Sequence, residues 1–210
     1  VELVMVGNES INDTVVGTLR DQGITINQVS SEGDLRHLEA SLNEADAVAD
    51  ALIGIGISRP LEGIFSDVVA RVVEVKQKHP NLLVLAIDVP TGLDADNGSV
   101  GSFCVDADVT IALGRPKMGL YQLPGAEYAG TVEVVDIGIP DGLDLDIRID
   151  LITEKWARSQ LPSRHLSSHK YDHGRTMIVA GSSSYMGAAV LAANAAGRTG
   201  AGLVTLAIPE

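Results

Sequence analysis

Aromatic rings are scarce, at 3 % of 210 residues. A core must then be built from Val, Ile, Leu and Ala, which favours a layered α/β protein over a β-sandwich. Cysteine is nearly absent too. Cys104 stands alone, which excludes an intramolecular disulfide and a cysteine-rich metal site. Positive charge is short: 15 Lys and Arg against 28 Asp and Glu leave a formal charge of −13. With no basic stripe, no nucleic-acid partner is expected. A pocket can still hold a nucleotide's phosphates on backbone N–H groups at a helix start. No apolar run reaches membrane-spanning length and nothing at the start resembles a signal peptide. The expectation is therefore a cytoplasmic protein with no membrane partner. The chain opens Val1-Glu2-Leu3 with no initiator Met, from which we expect an internal fragment of a longer protein.

What remains is ordinary globular material, 45 % hydrophobic and 20 % charged, of a length that leaves one domain or two open. Periodicity predicts strands at 1–6, 24–29, 47–53, 82–87, 105–113 and 131–137, and helices at 11–22, 34–43 and 61–78. The last of these carries Leu61, Ile64, Phe65, Val68, Val72 and Val75 on one face and stops at His79-Pro80. Residues 141–166 are rich in Asp, Ser and Arg and read as a linker, with Thr153 or Ser159 as a helix cap. A second strand–helix–strand unit follows over 176–180, 188–198 and 203–208.

The stretch Ala86 to Asp96, AIDVPTGLDAD, organises the rest. An apolar strand runs into Asp88 and then a Pro-Thr-Gly turn, at the strand end where open α/β sheets bind ligands. Capping of the next segment by Asp88 is the alternative. Asp50 lies inside an apolar strand, and a buried carboxylate demands a cation, an Arg or a set of N–H donors. The Gly54-Ile55-Gly56 that follows lets a backbone approach a ligand, but a dinucleotide fingerprint would need glycine where Arg59 stands. A plain glycine turn reads as well. Lys117, in a Gly and Pro loop past another strand, is either a solvated group or a partner for one of these acids.

Four stretches together resemble one family: DALIGIGISRPLEG (Asp50 to Gly63), AIDVPTGLDADNG (Ala86 to Gly98), ADVTIALGRPKMGL (Ala107 to Leu120) and VEVVDIGIP (Val132 to Pro140). They look like the YjeF N-terminal domain, the NAD(P)HX epimerase. His169 to Pro209 resembles the opening of the ribokinase-like, ADP-dependent NAD(P)HX dehydratase. The resemblance implies a three-layer, Rossmann-like α/β/α epimerase domain over 1–148, then the incomplete ribokinase-like α/β unit over 149–210. It implies repair of hydrated NADH and NADPH: one domain interconverts the two configurations at carbon six of the nicotinamide ring. The other removes water from one of them, consuming ADP (or ATP). A homodimer or larger homo-oligomer is implied as well.

Carried over by position, Asp50 and Thr91 match potassium ligands, Thr91 standing where the family has Ser. Gly54, Ile55, Gly56, Ile57, Ser58, Arg59 and Pro60 match the loop on the substrate's phosphates and sugar, Asp88 a substrate-binding acid, and Ala188 a dehydratase substrate contact. Exchange of configuration at a hemiaminal carbon needs water to leave and return on the other face. Asp88 and Lys117 are the available acid–base pair. Two departures stand out: the family's Asn-Asn-Gly-Gly-Asp-Gly loop is missing, and so are its later glycine-rich nucleotide loop, catalytic Asp and further strands, while Tyr171 also replaces the Gly after His-Lys. Both sites are therefore expected to be incomplete and the fragment inactive. Two other classes are a non-catalytic YjeF-like scaffold, as in an mRNA-decapping enhancer, and a ribokinase-like small-molecule kinase. The acidic charge and the dehydratase-like continuation speak against the scaffold.

Overall fold

A computed structural model describes residues 1–7, 13–56, 60–140, 142–143 and 146–209. The chain divides into two compact units, Val1–Ile149 and Asp150–Glu210. In the first, β1 (Glu2–Val6) pairs in parallel with β2 (Thr25–Val29). A separate four-stranded parallel sheet runs β3 (Ala47–Asp50), β4 (Leu83–Ile87), β5 (Val109–Leu113) and β6 (Thr131–Val135), in that order. Helices α1 (Asp13–Asp21), α2 (Glu32–Glu44) and α3 (Gly63–Lys78) link the first four strands. The architecture is mixed α/β with parallel sheets.

Apolar spacing explains the helices. Leu35, Leu38 and Leu42 recur at helical intervals and are buried on α2, while Val68, Val69, Val72 and Val75 are buried on α3. These residues share one core with Val84 and Ala86 of β4. Helix α3 starts two residues later than its periodicity predicts, because Glu62 is extended and Gly63 takes a left-handed φ of 58°. It ends where predicted: the His79 N–H closes on the Val75 carbonyl at 2.8 Å, and Pro80 has no N–H to continue. The opposite face of the sheet is less covered. Leu83 is exposed there, with Leu85, Ile87, Ile111 and Leu113 half-buried.

Two strands differ most from expectation. The run predicted over 47–53 stops at Asp50, because the Asp50 carboxylate turns back to accept the Leu52 N–H at 3.2 Å. That acid therefore closes its strand rather than lying inside it. Likewise β5 begins at Val109, since the Val105 and Ala107 N–H groups are taken by the Thr91 and Tyr128 carbonyls at 3.0 Å instead of by a ladder.

Lys76 of α3 pins the far ends of β4 and β5. Its ammonium donates to the Leu82 carbonyl at 2.7 Å and to both oxygens of Asp108 at 2.9 and 2.8 Å, and Asp108 also accepts the Val84 N–H at 2.7 Å. Partial burial pushes the Asp108 carboxyl up, but the bonds from Lys76 and Val84 outweigh it and hold the group below the usual range. Lys76→Met is expected to cost about 1–2 kcal/mol in a urea melt, discounted for the partial exposure of the acid. An unchanged midpoint would show that the pair contributes nothing.

In the second unit β7 (Arg175–Val179) pairs in parallel with β8 (Leu203–Ala207), and α5 (Met186–Thr199) connects them. Ahead of them α4 (Glu154–Gln160) is capped by Thr153, whose hydroxyl oxygen accepts the Trp156 N–H at 3.1 Å. Ser159 instead donates to the Trp156 carbonyl. Among the described residues no helix is long and apolar enough to cross a membrane.

Candidate functional site

At the end of β4 the chain turns sharply. The Val89 N–H reaches back to the Ile87 carbonyl at 3.0 Å, and Asp88 between them has φ of 74°, alone among the described non-glycine residues in being positive. Asp is one of the few side chains that tolerate this region, and such strain gathers at functional sites. The Asp88 N–H is held by the Ile111 carbonyl of β5 at 2.8 Å, so its side chain projects over the end of that strand.

There Asp88 meets Lys117. The ammonium donates to Asp88 Oδ1 and, at 2.7 Å, to the Leu113 carbonyl, while the Leu113 N–H donates to the same Oδ1 at 3.3 Å. The two side chains are only 15 % and 14 % exposed. Asp88 Oδ2 has no hydrogen-bond partner among the described residues. Gly54 lies against it, and a Cβ there would sit 3.1 Å away. An ion pair with one carboxylate oxygen left over can donate a proton from one member and accept one at the other.

Asp50 is the more buried acid, at 4 % exposure. Its Oδ2 accepts the Thr91 N–H and its Oδ1 the Thr91 hydroxyl, both at 2.7 Å, and Leu52 supplies the third donor. Thr91 Oγ1 in turn accepts the Ile53 N–H at 3.2 Å. Burial pushes the Asp50 carboxyl up, and these neutral donors do not reverse it. No Lys, Arg or His among the described residues reaches it. Cys104 lies close enough to feel its charge: burial first, then Asp50 and Asp106, push that thiol up to about 12.

The two acids meet through residues 52–54. Leu52 is held by Asp50, Ile53 by Thr91, and Gly54 by its closeness to Asp88. Ile55, Gly56 and Pro60 are exposed. Ile57, Ser58 and Arg59 lie outside the described residues. Ala188 is an exposed residue in the first turn of α5, in the second unit. The main-chain atoms of Leu113 and Ile53 were not singled out by the sequence, because only the pairing of β5 with β4 brings Leu113 beside Asp88.

The profile of the family described as YjeF-related protein N-terminus matches residues 8–119. The chain belongs to that family. The matched stretch contains Asp50, the Gly54 loop, Asp88, Thr91 and Lys117, and excludes Ala188. Among relatives named bifunctional NAD(P)H-hydrate repair enzyme Nnr, that of Moorella thermoacetica is 39 % identical over 85 % of this chain and 33 % of its own length. That of Thermofilum pendens is 37 % identical over 88 % of this chain and 34 % of its own. That of Methanothermobacter thermautotrophicus is 31 % identical over 97 % and 37 %. The YjeF-family chain thus spans about a third of the length of these relatives. The crystal structure of yeast ynu0 shares its fold, with a TM-score of 0.51 at 20 % identity, over 65 % of this chain and 56 % of that one.

Proposed function

We propose that residues 1–148 form a Rossmann-like epimerase domain that interconverts the two carbon-six configurations of hydrated NADH and NADPH. The observation that carries this reading is the enclosed Asp88–Lys117 pair at a strained strand exit, with Asp88 Oδ2 unbonded among the described residues. Residues 149–210 are read as part of an ADP-dependent dehydratase, a second activity that suits the word bifunctional in the relatives' names.

In the proposed reaction the Lys117 ammonium gives a proton to the carbon-six hydroxyl. The C–O bond breaks, water leaves, and the ring nitrogen's electron pair covers the electron-poor carbon. Asp88 Oδ2 then takes a proton from a water adding to the other face. One water leaves, one enters, the proton taken by Asp88 passes back to Lys117 across their shared contact, and nothing is oxidised. The loop from Gly54 to Pro60 holds the substrate's phosphates and sugar.

The residues around Asp50 fit a potassium ion. A buried carboxylate surrounded by neutral donors has unbalanced charge, and with the Thr91 hydroxyl and loop carbonyls it offers the oxygen ligands that a hard cation takes. No three His, Cys, Asp or Glu side chains converge as a metal cluster among the described residues. A bound cation would supply fixed positive charge that offsets Asp50 and steadies residues 51–54.

The sign of the pH effect follows from the raised Asp50 value. The folded state keeps this proton above the ordinary aspartate range, so stability is present in acid and falls as pH rises through the folded value. A cation competes with that proton. At neutral pH, 100 mM KCl in place of choline chloride is expected to raise the melting temperature by roughly 2–4 °C, near 1 kcal/mol. The gain should vanish in acid and in Asp50→Asn. A gain surviving in Asp50→Asn would remove the ion from this site. For the activity itself, pure (R)-NADHX incubated with the product of the full reading frame should equilibrate faster than in buffer, followed by separating the epimers chromatographically. Equilibration at the buffer rate would reject the epimerase reading.

A further inference from the structure

Charge is divided unevenly along the chain. Residues 1–149 hold nine Lys or Arg against 24 Asp or Glu, whereas residues 150–210 hold six against four. Within the second unit Arg164, His165, His169, Lys170, His173 and Arg175 fall in one short run whose single acid is Asp172. Part of that run lines a surface hollow of about 620 Å³, together with Ser167, Ser168 and Gly200 at the end of α5. None of these residues lies in the stretch matched by the family.

The hydrogen bonds leave donors facing this hollow. Arg164 Nη2 donates to the Gly200 carbonyl at 2.5 Å, which covers the negative end of α5 and fixes the guanidinium at the rim. The Ser168 hydroxyl donates to the His165 carbonyl at 2.6 Å. His173 Nε2, 2.9 Å from that oxygen, must then be the donor of their shared bond. Asp172 is turned to its own loop, where Oδ2 accepts the His169 N–H at 2.9 Å and lies 3.0 Å from His169 Nδ1. The His165 ring has no partner among the described residues. Arg164, His165 and Ser167 therefore border the hollow with donors to spare, and its one carboxylate, Asp172, is bonded through Oδ2 to its own loop.

We propose that this hollow binds the phosphate or diphosphate group of a ligand, anchored by Arg164 and His165. A guanidinium held at its rim presents planar paired N–H groups to such an oxyanion, a recognition that a mobile surface lysine does not provide. The site lies in the unit read as part of a dehydratase, but it rests on the contacts above and on neither that reading nor the epimerase one.

The test is calorimetric titration of the whole chain with sodium pyrophosphate at constant ionic strength, with phosphate and ADP as parallel arms. Saturable binding is expected, weakened at least about tenfold in Arg164→Ala and several-fold in His165→Ala. Lys155→Ala, on α4, should bind as the parent does. ADP binding more tightly than pyrophosphate makes the ligand a nucleotide, and equal binding makes it the bare anion; both uphold the anion site. Arg164→Ala loses its bond to Gly200, so circular dichroism must show it folded. If it is not, His165→Ala decides, since its ring holds nothing in place. No saturation by pyrophosphate in the parent chain, or His165→Ala titrating as the parent does, overturns the proposal.

Discussion

Asp88→Asn is expected to slow epimer equilibration by at least about a hundredfold in kcat/KM, the scale of losing a positioned base. The change is nearly isosteric, so the fold should survive it. An Asn oxygen in the Oδ1 position can still accept from Lys117 and the Leu113 N–H. The amide nitrogen then falls where Oδ2 was, and a donor replaces an acceptor that is unbonded among the described residues. Lys117→Met is the companion, removing the acid while leaving Asp88 bonded to Leu113. Melting within about 2 °C of the parent would separate lost chemistry from lost structure. An Asp88→Asn protein that equilibrates the epimers at the parent rate would take this acid out of the reaction.

Gly92→Ala should be among the most damaging single methyls in the first unit. Gly92 has φ of 100°, and a Cβ there would lie 2.3 Å from the Phe103 carbonyl oxygen and 2.9 Å from Cys104 Cα. Both obstacles are backbone, and they are locked in place. The Gly101 N–H is bonded to the Gly92 carbonyl and the Val105 N–H to the Thr91 carbonyl, each at 3.0 Å. The expected loss is at least about 3 kcal/mol, combining an unfavourable φ with a clash that cannot relax. Because Thr91 is the adjacent residue, its bonds to Asp50 should go as well, and with them the proposed stabilisation by potassium. Gly56→Ala is the contrast, as its Cβ would meet nothing within 4 Å. A Gly92→Ala protein within about 1 kcal/mol of the parent by urea melt would contradict this account.

Much of the fold could be read from the sequence because burial dictates spacing. The Leu35, Leu38 and Leu42 stripe and the His79-Pro80 stop need no tertiary information. The strand ends did need it. Asp50 ends β3 through a bond to its own chain two residues on, and Val105 is drawn out of β5 by the Thr91 carbonyl. Neither event alters hydrophobic pattern. At the candidate site the acids were visible as carboxylates beside strand ends. Their neighbours were not: the positive φ of Asp88 belongs to the turn, and Leu113 and Ile53 act through main-chain atoms that every residue possesses.

Leu113 contributes an N–H and a carbonyl to the ion pair and no side-chain atom. Its letter is therefore free to drift among residues that suit a half-buried strand, while its place just past the end of β4 is not. A survey that scores positions by invariance would pass over it. Mutational tolerance at 113 and strict dependence on the alignment of the two strands are two faces of the same fact: here the ladder, not the alphabet, carries the inheritance.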